Sequence, residues 1–381
     1  MTRLTWLSVL MVVVACGDSV QPASDGGAAD APVNGVDGMP GDARVPDATV
    51  VDASTPDAFS GEMGAVDVLF VIDNSGSMAE EQTALLNGFS SFANVLSSVV
   101  GGLPSLHIGI VSTDLGGGPF NISGCSGNGD NGTLQAVPRS AGCTAPTDAF
   151  IKDTVNPDGS RNTNYTGTLS NTFQCIAPLG INGCGFEQPL ESMRRALNGS
   201  NPGNQGFLRA DAALAVIFVT DEDDCSTENT DMFDTSQDSI DAPLGPLSSF
   251  RCFEFGVVCN PDTPRVPGPR TSCTSREDSP YMFAVAQYVS FLQALKADPN
   301  RVVVGAIMGT PTPVNVAINA SSGNPQLQPS CTSTSGSAVP PIRLQTVVDG
   351  FAPNSSISSI CDADYSTGLI AIATKIAAVL P

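Results

Sequence analysis

The sequence predicts an α/β fold with a doubly wound, mostly parallel sheet flanked by helices and interrupted by disulfide-rich loop insertions. Three observations predict it. Near-continuous apolar runs of strand length recur along the chain, segments of helical period separate them, and polar cysteine-rich stretches break the alternation. An apolar run of strand length has no solvent face, so it belongs in a parallel sheet covered on both sides. Strands alternating with helices build such a sheet by right-handed crossovers.

Taken in order, residues 66–72 (Val-Asp-Val-Leu-Phe-Val-Ile) form the first strand, ending at Asp73. Leu85, Leu86, Phe89, Phe92, Ala93, Leu96 and Val99 then recur at helical spacing and mark an amphipathic helix. Residues 106–111 are a second strand, closed by Ser112-Thr113-Asp114. Pattern is lost from about residue 115 to 183, a Gly-, Asn-, Ser- and Cys-rich insertion, and returns with a helix over residues 189–197. Residues 212–220 are the strongest strand, followed by Asp221-Glu222-Asp223-Asp224. A second cysteine- and proline-rich insertion covers about residues 225–279. Met282, Val285, Ala286, Val289, Leu292 and Leu295 mark a long helix, and residues 301–308 a strand. A short helix at 342–351, a short strand at 356–360 and a terminal helix at 367–380 complete the alternation. There is no internal repeat.

Composition narrows the function. The chain carries 38 acidic against 16 basic residues, a net charge of −22, which repels nucleic acid and anionic lipid and favours cations and basic partners. The single histidine, His107, lies inside a strand, which removes most zinc and general-base chemistry and reads as a packed residue. The N-terminus reads as an export signal: Arg3, then an apolar run over residues 4–15 too short to span a bilayer. Val13-Val14-Ala15-Cys16 resembles the bacterial lipobox, and that resemblance implies cleavage after residue 15 and lipidation of Cys16. Each buried acyl methylene would contribute roughly 0.8 kcal/mol to membrane attachment. The other reading is an ordinary cleaved signal with a chance cysteine. Residues 16–62, rich in Asp, Ala, Pro and Gly and without helical or strand period, read as a flexible tether, leaving a domain over residues 63–381. Gly17 carries no inner-membrane retention signal, which points to the outer membrane.

With Cys16 set aside, ten cysteines remain: 125, 143, 175, 184, 225, 252, 259, 273, 331 and 361. An even number in an exported chain implies five disulfides. Proximity pairs Cys125 with Cys143, Cys175 with Cys184 and Cys252 with Cys259, although sequence leaves the connectivity open.

The chemistry sits at the strand tips. In an open parallel sheet, ligands bind beyond the carboxyl ends of the strands. Asp73-Asn74-Ser75-Gly76-Ser77 places one carboxylate and two hydroxyls on a turn there, with Asp221 at a second tip. These are hard oxygen donors of the kind Mg²⁺ or Ca²⁺ prefers. The pattern Asp73-x-Ser75-x-Ser77 after a buried strand, with Thr220-Asp221 after another, resembles the von Willebrand factor A family from about residue 66 to 381. The resemblance implies a metal-ion-dependent adhesion site at which Ser75 and Ser77 coordinate directly and Asp73 and Asp221 directly or through water. A partner's acidic residue would complete the shell. It also implies a non-enzymatic interaction module. The family usually adds a threonine from the loop before the helix that precedes the fourth strand. That loop, residues 180–189, contains no Ser or Thr. Glu187 there, or Asp114 at the second strand tip, is the nearest replacement, and either would make the site more anionic and closer to Ca²⁺ chemistry.

Plainer readings stand beside these. Asp73, Ser75 and Ser77 are also the residue types that cap helices. Asp223 and Asp224 read as a solvated loop. Asp158-x-Ser160-x-Asn162-x-Asn164 alternates oxygen donors but lacks the glycine and glutamate of a calcium loop, so it reads as a polar turn. The Gly101-Gly102 and Gly116–Gly118 clusters read as turns. The function expected first is a cation-dependent binding lipoprotein of the envelope. An envelope protein with a purely structural ion comes second, and a metal-dependent hydrolase, which lacks a positioned base, last.

Overall fold

Strand β1 (Ala65–Ile72) is buried along all but its first residue and divides the protein into two cores. Val66, Val68, Phe70 and Ile72 face one layer, where they meet Leu85, Phe89 and Phe92 of α1 (Ala79–Ser97). Leu69 and Val71 face the other. That alternation is the period-two consequence of the pleat, and it explains why a strand covered on both faces reads as an unbroken apolar run. The computed structural model describes residues 64–99, 101–334 and 336–381. The expectations for the signal segment, Cys16 and the tether lie outside the described residues.

After β2 (Ser105–Ser112) the first insertion contributes β3 (Ile151–Val155), β4 (Arg161–Thr163) and α2 (Leu169–Ile176). Then come α3 (Pro189–Leu197) and β5 (Ala213–Val219). The second insertion holds α4 (Phe250–Gly256), β6 (Val257–Asn260) and β7 (Gly268–Ser275), and α5 (Val285–Ala294) and β8 (Val302–Met308) return to the main alternation. Three short strand pieces follow, β9 (Val314–Ile318), β10 (Pro325–Leu327) and β11 (Cys331–Ser333), then β12 (Gly336–Ala338), α6 (Ile342–Asp349), β13 (Ser355–Ser359) and α7 (Ser366–Ala378).

The main sheet runs β13-β8-β5-β1-β2-β3-β4. Its first five strands are parallel, and β3 and β4 extend it antiparallel. Helices α1, α2 and α7 cover one face and α3, α5 and α6 the other. This is the doubly wound sheet expected, consistent with the von Willebrand factor A type. β2 and β5 lie on opposite sides of β1, so the winding reverses beside β1 and opens a crevice at the carboxyl ends of β1 and β5.

The insertions hold more structure than their composition implied. In the first, Phe173 of α2 stacks on Phe89 at 3.8 Å between ring centroids, inside the main core. The turn between β3 and β4 is the polar turn expected: the Ser160 amide and hydroxyl both bond Asp158. In the second, β6 and β7 join β9 and β10 in a four-stranded antiparallel sheet, order β10-β9-β7-β6. The five disulfides are present, but the short-range pairing is wrong. The bonds are Cys125–Cys184, Cys143–Cys175, Cys225–Cys252, Cys259–Cys273 and Cys331–Cys361. Each links segments that the fold, not chain proximity, brings together. Among the described residues no helix is long and apolar enough to cross a membrane.

Candidate metal centre

The turn after β1 is built around Asp73, which is fully buried. One carboxylate oxygen accepts the Ser75 amide at 2.8 Å and the other accepts the Thr220 hydroxyl at 2.6 Å, tying the tips of β1 and β5 together. Helix α1 begins only at Ala79; its N-cap residue is Met78, with no side-chain capping bond. The aspartate and serines are therefore not spent on capping the helix. Ser75 and Ser77 set their hydroxyls 3.1 Å apart, and Ser77 also reaches the Asp221 carboxylate. Gln82 of α1 bonds the carbonyls of Asp73 and Gly180 at 2.9 and 2.8 Å, and so clips the loop of residues 180–189 onto the turn. Gly183 closes the approach: a Cβ there would strike the Asn74 side chain, which would have to move.

That loop delivers Glu187. It is fully buried beside Asp73, and its Oε2 accepts the hydroxyl of Thr113. Asp114 does not turn to the same purpose: its carboxylate accepts the amides of Gly116, at 2.8 Å, and Cys184. Five of the six candidates, Asp73, Ser75, Ser77, Asp221 and Glu187, lie together at the crevice, and Asp114 stands beside them. Thr113, Thr220 and Gln82 complete the arrangement. No local motif marks Thr113 or Gln82, because each acts through a partner at least 74 residues away, except where Gln82 meets Asp73 at a separation of 9.

Charge is unbalanced here. Burial and the neighbouring Asp73 charge push the Asp221 carboxyl up to about 7, and the same two causes hold Glu187 well above the usual range. Burial raises Asp73 as well, against the bonds from Thr220 and Ser75 that favour its charged form. Burial and then the Asp221 charge push Glu222 up to about 8. Four buried oxygens have no hydrogen-bond partner: Asp221 Oδ1, Glu187 Oε1, Asn74 Oδ1 and Glu81 Oε2. All four are acceptors, and burying an acceptor without a donor costs about 1–3 kcal/mol. Unsatisfied oxygens with surplus negative charge fit a hard divalent cation. The residues that would hold it are Asp73, Ser75, Ser77, Asp221 and Glu187. Among the described residues no three His, Cys, Asp or Glu side chains cluster as a metal cage by themselves.

The acidic run after Asp221 corrects the sequence reading. Asp224 is fully buried and pairs with Arg343 at 3.1 Å. Asp223 accepts the Arg343 and Leu344 amides at the start of α6. Neither is a solvated loop residue. The run anchors α6, and only Glu222 is left over. His107 is a packed residue as expected, its Nδ1 2.8 Å from the Phe207 carbonyl.

No family model matches the chain, and no curated protein matches it. Solved structures do. A von Willebrand factor type A protein from Catenulispora acidiphila is similar over 82% of this chain and 43% of its own, at 9% identity and a TM-score of 0.35. The pilus adhesin SpaC from Lactobacillus rhamnosus GG, in an open conformation, is similar over 82% of this chain and 30% of its own, at 10% identity and a TM-score of 0.32. The PilB minor pilin from Streptococcus sanguinis is similar over 84% of this chain and 62% of its own, at 12% identity and a TM-score of 0.32. This chain therefore spans less than two thirds of each of those proteins, and what it does is argued from its own residues.

Proposed function

We propose that this domain is a divalent-cation-dependent protein-binding module, carried by an exported lipoprotein of the bacterial envelope and without catalytic activity of its own. One observation carries the reading: the Asp73-x-Ser75-x-Ser77 turn, Asp221 and Glu187 meet at the switch point with buried acceptor oxygens left unsatisfied. A bound Mg²⁺ or Ca²⁺ supplies an electrophilic position that an acidic side chain of a partner completes. The chain's own residues prepare that position. Thr220 and the Ser75 amide orient Asp73, Thr113 orients Glu187, and Gln82 holds the loop that carries Glu187. Ser77 is exposed while Asp73 and Glu187 are sealed, so the centre faces solvent on its serine side, where a partner would approach. Lipidation at Cys16 would hold the module at the outer membrane.

Thermal unfolding in chelator and in millimolar Mg²⁺ or Ca²⁺ tests the ion. Stabilisation should reach about 2.7 kcal/mol at a hundredfold excess over Kd and vanish in Asp73→Ala. Equal melting temperatures with and without cation would sink the site. Competition between short acidic peptides for the loaded protein then tests adhesion. A cation shift with no peptide binding favours a structural ion, a second reading supported by the complete burial of Asp73 and Glu187.

A further inference from the structure

Beside the metal centre lies a cavity of about 430 Å³ that the ion does not need. Glu222, the residue after Asp221, lines it with Ser249, Phe250 and Phe253 from the α4 segment and Gln326 and Leu327 from the β10 hairpin. Its walls are held in place before any guest arrives. The Cys225–Cys252 disulfide ties α4 to the loop whose Cys225 amide bonds the Glu187 carbonyl at 2.7 Å. Asn319 donates to the Gln326 side chain at 2.8 Å and fixes its orientation. The Phe250 and Phe253 rings, each 6% exposed, stand 5.6 Å apart.

The cavity holds two carboxylates and no Lys, Arg or His. Asp223 is committed to the amides of Arg343 and Leu344. Glu222 is not: its carboxyl takes the Ser249 hydroxyl, and it enters none of the ion pairs among the described residues. An apolar guest would leave the Glu222 carboxyl without a cationic partner, and an acidic guest would add a third carboxyl group to the cavity. A long side chain with an apolar stem and a cationic head satisfies both parts of the pocket. Its methylenes lie against Phe250, Phe253 and Leu327, and its head group makes a charge-assisted bond to Glu222.

We infer that this cavity receives a lysine or arginine side chain of the partner, next to the acidic residue offered to the metal centre. The inference rests on the cation-dependent reading proposed above. Asp221 and Glu222 are consecutive, so the two subsites adjoin and one short partner segment reaches both. The recognised element is therefore an acid and a base on one short segment, and the two subsites together discriminate against the many segments that carry only one of them.

The probe is a capped Asp-Gly-Gly-Lys peptide, compared with versions carrying norleucine for Lys or Asn for Asp, titrated calorimetrically into the full domain in Mg²⁺. The Lys peptide should bind about tenfold more tightly than the norleucine peptide, and Glu222→Gln should erase the difference. Equal binding of these two peptides, with dependence on Asp and Mg²⁺ retained, overturns the basic pocket and leaves the metal centre standing. Loss of all dependence on Mg²⁺ overturns the metal reading instead. The pocket is then judged by itself with capped single amino acids in chelator, by saturation-transfer NMR on the wild-type protein. This second measurement also serves if Glu222→Gln does not fold. Preference for capped lysine over capped norleucine supports the inference; equal signals, or a preference for a neutral sugar probe, overturn it.

Discussion

Glu187 and His107 show how one side chain can be read through its surroundings. Glu187 is fully buried, with one oxygen on Thr113 and the other unsatisfied. Glu187→Gln should lose most of the cation-induced shift in melting temperature, because an amide oxygen is a weaker ligand for a hard cation than a carboxylate. A variant with an undiminished shift would remove Glu187 from the donor set. Gly183→Ala should destabilise by ~1–3 kcal/mol and weaken cation binding, because the new Cβ displaces Asn74 and the loop that carries Glu187. Denaturant unfolding with and without Mg²⁺ measures both effects. His107 gives a pH dependence of known sign. Burial lowers it from 6.5 to about 4, so between those values the unfolded chain binds a proton that the folded one refuses. Stability should fall as pH drops from 6.5 towards 4, and His107→Gln should flatten that part of the melting curve. A slope unchanged in the variant would assign the acid sensitivity to other groups.

At the scale of elements, the disulfides decide which segments can stand near the crevice. Cys125–Cys184 closes 59 residues and holds the start of the Glu187 loop, whereas Cys259–Cys273 closes 14 and staples the β6–β7 ladder. Chain entropy alone makes the longer closure worth ~4 kcal/mol and the shorter ~3 kcal/mol. Double Cys→Ser replacement at each pair, followed by urea unfolding, should reproduce that order. Only the loss of Cys125–Cys184 should also weaken cation binding, because only that bond borders the centre; equal binding in both variants would separate the disulfide from the site. The β11–β12 hairpin illustrates a different constraint. Gly336 lies so close to Glu81 that any Cβ would strike the Glu81 carboxylate. Its φ of 141° is tolerated only by glycine, so both backbone and space select the residue.

For the whole molecule, Cys16→Ser should move the protein from the membrane fraction to the soluble exported fraction, if the lipid is what retains it. A variant still bound to membranes, with no acyl group found on wild-type protein by mass spectrometry, would end the anchor proposal. The alternation of apolar runs and helical periods was enough to read the doubly wound sheet, because strands covered on both faces and helices covered on one leave that record in any sequence. Asp73, Ser75, Ser77 and Asp221 were legible for a related reason: their spacing at strand ends is local. The small elements of the insertions, β3, β4, α2 and the antiparallel sheet of β6, β7, β9 and β10, were not. They are short, rich in Gly, Pro and Cys, and stabilised by contacts outside themselves, as when Phe173 stacks on Phe89. Asp223 and Asp224 were equally opaque: they look solvated, yet the fold assigns both to the start of α6. Sequence alone determined the order of the main strands and helices and the Asp73-x-Ser75-x-Ser77 turn at a strand end, since both are patterns along the chain. Only the tertiary structure decided the cysteine partners, the position of Glu187 and the uncommitted state of Glu222, since these depend on which distant segments share one buried space.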